Sequence, residues 1–447
     1  MKTFGTDGIR GKANEYPMTS EIILQVGMAA ALHLGSSETT NRVVIGKDTR
    51  LSGYMFETAL TSGLTSMGKD VLLVGPMPTP AVAMLTKSIR ADLGIMISAS
   101  HNPYYDNGIK LFDKYGYKLS DESEQAIEAL LGKDFSPYLV KSSKVGRVER
   151  LQESVGRYIE YIKSHFPQDA SLSGLKIVVD CANGAAYKVA PTILYELGAI
   201  VIPIGINPNG FNINQQCGST DIKELRLKVL ESEADIGIAF DGDADRLIII
   251  DERGNVIDGD KILAILATHW HKVGKLKNHK VVGTIMANLS FEKYLNSQKI
   301  ELIRTSVGDR YVSEGMQQHQ CNLGGEQSGH VILSDYSTTG DAILAALEVL
   351  SIIVISKQSA SKVCNLYKAA PQILKNLKYN TDSNPLEDKN IIDFIENQQK
   401  KYQQDYRIVV RKSGTEKLIR VMVEGEKHEE TSMICDNIID KISAHIN

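Results

Sequence analysis

The chain has 447 residues, 43% of them hydrophobic and 23% charged. That is the balance of a soluble globular protein, and it is more chain than one ordinary core can organise. A formal net charge of −4 gives no general pull toward nucleic acid or an anionic membrane, so any ligand must be recognised by local groups. The five cysteines, Cys181, Cys217, Cys321, Cys364 and Cys435, are scattered and form no Cys-x-x-Cys pair. They argue against a disulfide framework or a thiolate metal site, and for a reducing compartment. With an opening that lacks an apolar signal core, the expected location is cytoplasmic.

Taken in order, the chain opens on Phe4-Gly-Thr-Asp-Gly-Ile-Arg-Gly11. Its glycines would let the backbone approach a ligand, and Arg10 could fork onto phosphate oxygens. A βαβ pattern follows: a strand over Arg42 to Gly46, a helix over Met55 to Met67 and a strand over Lys69 to Gly75. A second copy runs through Lys176 to Asp180, Val189 to Leu197 and Ala199 to Gly205. A shorter third runs through Lys280 to Thr284, a helix from Phe291, and Ile300 to Arg304. Three such units imply three related α/β domains.

The repeat is sharpest at the loops. Ala91-Asp-Leu-Gly-Ile95 aligns without a gap on Ala234-Asp-Ile-Gly-Ile238, which sets Ser98 over Asp241 and Ser100 over Asp243. Asp113 to Gly116 matches Asp251 to Gly254, each a turn between two strands. Asn322-Leu-Gly-Gly325 aligns on Asp92 to Ile95 and brings Glu326, Ser328 and His330 to the matching strand end. Three equivalent strand-end loops, where α/β sheets place their chemistry, therefore carry a Ser-His-Asn sequence, an acidic sequence and a Glu/Ser/His sequence.

The apolar run Ala342 to Ser356 carries Glu348 and is shorter than the ~20 residues of a bilayer span, so a buried helix is expected and no membrane association. The polar stretch Lys368 to Pro371 reads as a linker. The remainder, with strands over Tyr406 to Val410 and Leu418 to Glu424 and a final helix, forms a smaller α+β domain. The domain bounds expected are 1–152, 153–255, 256–367 and 368–447.

Asp241-Gly-Asp-Ala-Asp-Arg246 places three carboxylates within one short loop, where they repel unless a cation compensates. An EF-hand is ruled out, because Arg246 stands where that loop needs glycine. Three hard oxygen ligands with an open face suit Mg²⁺. Arg411-Lys-Ser-Gly-Thr-Glu416, with Arg420 nearby, offers guanidinium forks and hydroxyl donors to a phosphate, but it is no Walker A loop. Ser100 lies in no Gly-x-Ser-x-Gly elbow. To carry a phosphoryl group it would need a metal and positive charge nearby, which the Asp241 loop, Lys110, His101 and Arg246 could supply.

Phe4 to Gly11, Ile97-Ser-Ala-Ser-His-Asn-Pro103, Asp241 to Arg246, Gly324-Gly-Glu-Gln-Ser-Gly-His330 and Arg411 to Glu416, in this order, resemble the signatures of the α-D-phosphohexomutase superfamily over the whole chain. The resemblance implies three α/β domains with mixed sheets and a C-terminal α+β domain around a central cleft. It implies a phosphoserine at Ser100, with Mg²⁺ held by Ser100, Asp241, Asp243 and Asp245. Glu326 and Ser328 would read sugar hydroxyls, and Arg411, Ser413, Gly414, Thr415 and Arg420 would hold the non-reacting phosphate. Lys110, His330, Arg10 and Arg246 would handle protons and stabilise charge. Family members often have proline where this chain has Lys412 and Lys417. The opening motif, Gly324 to His330 and Ile419 to Gly425 point within the superfamily to a hexosamine phosphate substrate. The reaction would interconvert glucosamine 6-phosphate and glucosamine 1-phosphate through a 1,6-bisphosphate, for UDP-N-acetylglucosamine synthesis. A phosphomannomutase/phosphoglucomutase, a metal-dependent phosphatase and a sugar-phosphate sensor without turnover stay open, as does a monomer or homodimer.

Overall fold

The computed structural model of the protein describes residues 3–5, 7–35, 40–379, 385–403, 405–412 and 418–446. Three of its sheets follow one plan. Strand Arg42–Lys47 pairs in parallel with Asp70–Pro76 on one side and Leu93–Ile97 on the other, and Leu93–Ile97 pairs antiparallel with Asp106–Asp113. Lys176–Asp180 lies likewise between Ile200–Ile204 and Ile236–Phe240, with Leu247–Asp251 antiparallel beyond. Lys280–Thr284 lies between Glu301–Thr305 and Leu323–Gly325, with Val331–Leu333 beyond. The mixed sheets have seven, five and four strands, so the repeat is one of topology as well as of sequence.

The matched turns are built alike. Asp113 Oδ1 accepts the backbone N–H of Tyr115 and Tyr117, both at 2.9 Å, and Asp251 Oδ1 accepts those of Arg253 and Asn255 at 2.9 and 2.8 Å. An aspartate that caps its own turn in this way fixes the hairpin register. It thereby fixes which residues of the returning strand face the cleft.

Strands Leu93–Ile97 and Ile236–Phe240 are buried at every position, as expected of strands covered on both faces. One continuous hydrophobic core runs through the first three domains, from Val44 and Phe112 through Ile238 to Leu347. Helix Ala342–Ser356 is buried from Ala342 to Ile353, and its one carboxylate is satisfied: Glu348 accepts from Trp270 Nε1 at 3.1 Å and from Lys275 Nζ. Among the described residues no helix is long and apolar enough to cross a membrane.

The C-terminal domain adds two elements beyond those expected, strand Gln372–Lys378 and the amphipathic helix Lys389–Tyr402, whose Ile391, Phe394 and Ile395 face its core. The strand pairs antiparallel with Leu418–Gly425, which also takes Tyr406–Lys412. Its core, including Ile408, Ile419 and Ile438, is separate from that of the other domains. The stretch read as a linker is held on both sides: Ala370 N donates to Asn288 Oδ1 at 3.0 Å and Ala370 O accepts from Asn288 Nδ2 at 3.1 Å, while Pro371 O accepts from Gly425 N at 3.1 Å.

Candidate active site

The loops that follow the three matched strands meet. Ser100, 1% exposed, sits in a turn with φ 52° and donates its hydroxyl to Asp241 Oδ2 at 2.6 Å. His101 Nδ1 lies 3.3 Å from Ser100 Oγ. The acidic loop touches the Glu/Ser/His loop through a bridge between Arg246 and His330 and a hydrogen bond from Leu247 N to Gly329 O at 3.0 Å.

Asp241, Asp243 and Asp245 are buried, and one oxygen of each lies within 4.8 Å of the others. Asp241 Oδ1 accepts the N–H groups of Asp245 and Arg246, which folds the loop around the carboxylates. Asp243 Oδ1 and Asp245 Oδ1 are buried without a hydrogen-bond partner. Burial, with the neighbouring Asp245 and Asp243, pushes the Asp241 carboxyl well above its ordinary range. Buried oxygens that lack donors and repel one another fit a divalent cation. Asp243 behaves differently: burial would raise it, but Lys110 at 2.8 Å and Thr79 Oγ1 outweigh that and hold it ionised.

Lys110 Nζ also reaches Asp245 Oδ2 at 3.1 Å. Burial would strip its proton, yet Asp243, Asp245 and Asp7 hold the ammonium well above its ordinary value, so Lys110 is a fixed cation. His101 is not. Burial, with Arg246 and Arg10 alongside, takes its imidazole down to about 4. The positive charge expected of His101 is therefore missing at neutral pH, chiefly because the imidazole is buried and secondly because Arg246 and Arg10 stand beside it. Arg10 pairs with Asp7.

His330 is 3% exposed, and both its ring nitrogens are buried without a hydrogen-bond partner. Its Nε2 stands 3.7 Å from Asp309 Oδ2. Glu326 is half-buried and accepts Gly308 N at 3.1 Å, while Ser328 is exposed. Arg411 and Arg420 face each other across the strand pair of the last domain, and each Nε is buried and unpartnered. Burial and the charge of Arg420 lower the pKa of Arg411, the electrostatics of a site that wants an anion. Among the described residues neither arginine bonds to the other three loops. Ser413, Gly414 and Thr415, expected in the phosphate grip, lie outside the described residues, as do Glu416 and Lys417.

Sequence reasoning missed several members. Asp7 and Asp309 share Lys118 as an ion-pair partner, and Lys118 and Asp309 also line a cavity of about 510 Å³ between the first and third domains, large enough for a sugar phosphate. Asp7 stands inside the opening motif, and Gly308-Asp309-Arg310 follows strand Glu301–Thr305, so the strand-end rule applied once more would have found it. Thr79 stands likewise just past the end of strand Asp70–Pro76, so the same rule would have found it.

A mixed-sheet α/β architecture repeated three times, with a buried serine against an acidic triad where the repeats converge, defines a class of sugar-phosphate enzymes. The chain belongs to the phosphoglucomutase/phosphomannomutase family. Its alpha/beta/alpha domains I, II and III match residues 1–137, 156–254 and 258–370, and its C-terminal domain matches 374–441. It is thus an enzyme of the isomerase class, a phosphotransferase acting within its substrate. A phosphoglucosamine mutase of Chelativorans sp. (strain BNC1) is 54% identical over 440 residues, 98% of this chain and 97% of its own. In fold the chain is similar to a phosphoglucomutase/phosphomannomutase family protein from Burkholderia thailandensis, with TM-score 0.82, 21% identity and 100% and 99% of the two chains covered. It is also similar to Aspergillus fumigatus N-acetylphosphoglucosamine mutase, whose structure is a complex with GlcNAc-6P and magnesium, with TM-score 0.69, 17% identity and 100% and 96% covered.

Proposed function

We infer that the chain is a phosphoglucosamine mutase, interconverting glucosamine 6-phosphate and glucosamine 1-phosphate and so feeding UDP-N-acetylglucosamine synthesis. The observation that carries the chemistry is the Ser100 hydroxyl, buried and 2.6 Å from Asp241 Oδ2, beside carboxylate oxygens that have no donor. The full-length identity to phosphoglucosamine mutases supports the choice of sugar. On this reading the bounds 1–152, 153–255, 256–367 and 368–447 separate a phosphoserine-loop, a metal, a sugar and a phosphate domain.

Phospho-Ser100 gives its phosphoryl to O1 of glucosamine 6-phosphate: the Oγ–P bond breaks, the P–O1 bond forms, O1 gives up its proton and Ser100 Oγ takes one up, to lose it again when Oγ–P re-forms. The 1,6-bisphosphate turns end for end. The P–O6 bond then breaks as Oγ–P re-forms and O6 takes up a proton, leaving glucosamine 1-phosphate. Asp241, Asp243 and Asp245 would hold Mg²⁺, which when bound neutralises charge on the transferring group. Lys110, Arg10 and Arg246 add fixed positive charge there. His330, with both ring nitrogens free, is the group suited to move a proton. Glu326 and Ser328 read sugar hydroxyls, and Arg411 and Arg420 hold the far phosphate.

Ser100→Ala should lose one phosphate by intact mass and lose turnover; unchanged phosphate content would remove Ser100 from the chemistry. Comparing kcat/KM for glucosamine, glucose and mannose 6-phosphates should favour glucosamine by ~10-fold or more. A preference for mannose or glucose would assign the chain to the hexose branch.

A further inference from the structure

Ser100 is not held by its side chain alone. Its backbone is in the left-handed region, φ 52°, which a serine enters only when its surroundings insist. Those surroundings form a closed ring of hydrogen bonds. Ser100 N–H donates to Ser98 Oγ at 2.9 Å, and the Ser98 hydroxyl donates to Asp48 Oδ2 at 2.7 Å. Arg50 Nε donates to the same Asp48 oxygen at 2.8 Å, and Arg50 Nη2 returns to Ser100 O at 2.9 Å. The ring therefore grips both the N–H and the C=O of one residue.

A second donor reaches the carbonyl from another domain. Asn214 Nδ2 donates to Ser100 O at 2.9 Å and to Asn102 O at 3.1 Å, and Arg50 Nη2 takes the same Asn102 carbonyl at 2.9 Å. Room for this amide comes from Gly242 of the acidic loop, where a Cβ would stand 2.6 Å from Ser100 O and 2.8 Å from Asn214 Nδ2. Ser98, Asp48 and Arg50 are 0%, 1% and 0% exposed, so no water competes for these bonds.

We propose that Asp48, Arg50 and Asn214 are positioning residues for phosphoryl transfer, acting through the Ser100 backbone to fix the direction in which Oγ meets the acidic loop. This rests on the reading of Ser100 as the phosphoryl carrier. The carrier must meet two different sugar oxygens in one geometry, and a turn free to relax would spread Oγ over several directions. Asn214 ties the aim of Ser100 to the second domain, which supplies the carboxylates, so nucleophile and acidic loop stay in register.

The test uses Asn214→Gly, which removes the amide while suiting the left-handed backbone at that position, φ 57°, and Ser98→Ala, which opens the ring on the N–H side. Both should fold with near-native melting profiles and keep KM within about two-fold, while kcat falls ~10- to 100-fold. Uptake of phosphate by Ser100 from glucose 1,6-bisphosphate, followed by intact mass, should slow in parallel. Because both variants open one device, the double variant should be little worse than the poorer single. Wild-type kcat and phosphate uptake in both folded variants would overturn the proposal, and so would loss of fold in both, which would make the ring merely structural. Turnover by Ser100→Ala would instead defeat the carrier reading itself and the proposal with it. A dead Ser100→Ala beside fully active ring variants would leave that reading standing and sink only the positioning role.

Discussion

His330 lies against a position with no side chain. A Cβ on Gly340 would stand 2.4 Å from His330 Nε2 and 2.7 Å from Cδ2 and Cε1, so any other residue there must drive the imidazole away from Asp309. Gly340→Ala should therefore lower kcat by ~10-fold or more while leaving the fold intact. In a His330→Ala background the same change should cost nothing further, because the ring it displaces is gone. Additive losses in the double variant would show that Gly340 acts by another route. At this scale the sequence was legible where chemistry and spacing coincide in one loop, as for Ser100 and the three aspartates. Lys118 and Asn214 were not legible, because their partners lie in other loops or domains; Arg50 pairs locally with Asp48, but the carbonyls it holds belong to the Ser100 loop. The neutrality of His101 was hidden for the same reason: it depends on burial, and then on Arg246 and Arg10, all of which only the folded chain brings about.

Elements repeat this pattern. Central strands such as Leu93–Ile97 and Ile236–Phe240 could be read from apolar runs, since both faces are covered, whereas Val148–Arg150, exposed throughout, could not. Strand Gln372–Lys378 could not, because its lysines and asparagine alternate weakly at the edge of a three-stranded sheet and the preceding Pro371 looked like the end of order. The apolar helix Ala342–Ser356 was legible, yet its start depends on a buried acid. Asp341 Oδ1 accepts Leu344 N at 3.0 Å as an N-cap, and Oδ2 accepts the Tyr158 hydroxyl at 2.9 Å. Burial outweighs these bonds and raises its carboxyl from the ordinary 3.8 to about 6. The folded state thus prefers the protonated form, so the stability this gives is full below the unfolded value and is lost as pH rises through the folded one. The whole effect is about 3 kcal/mol, of which roughly half falls between pH 5 and 8. Asp341→Asn keeps a capping oxygen and cannot ionise. Its melting temperature should climb relative to wild type from pH 5 to pH 8; a flat or falling difference would place the titration elsewhere.

The whole molecule is three domains bound together by one continuous apolar core, each with a further core of its own, and a fourth with a separate core, joined to them by polar contacts. Arg407 reaches out of the last domain to Ile285 O at 2.8 Å and Ala287 O at 2.9 Å, while pairing with the fully buried Glu424 at 2.8 Å. With the Asn288 clasp on Ala370, this sets the angle at which Arg411 and Arg420 are presented. An apolar joint would resist small rotations less selectively, whereas hydrogen bonds to two backbone carbonyls are directional and break together. On the function proposed above, a bisphosphate that turns between half-reactions needs the far phosphate released and gripped again, and such a joint would permit this without unfolding a core. Removing Arg407 entirely would leave the buried Glu424 with only Gln372 Nε2, at 3.1 Å, as its side-chain donor among the described residues, at a cost of ~3 kcal/mol, so Arg407→Lys is the sharper test. Its ammonium can still meet Glu424 but cannot also span both carbonyls. The variant should fold, show a larger radius of gyration by solution scattering, and raise KM ~5- to 10-fold with a smaller change in kcat, as expected when ground-state and transition-state grip weaken together. Unchanged scattering with unchanged KM would show that the last domain is oriented by something other than Arg407.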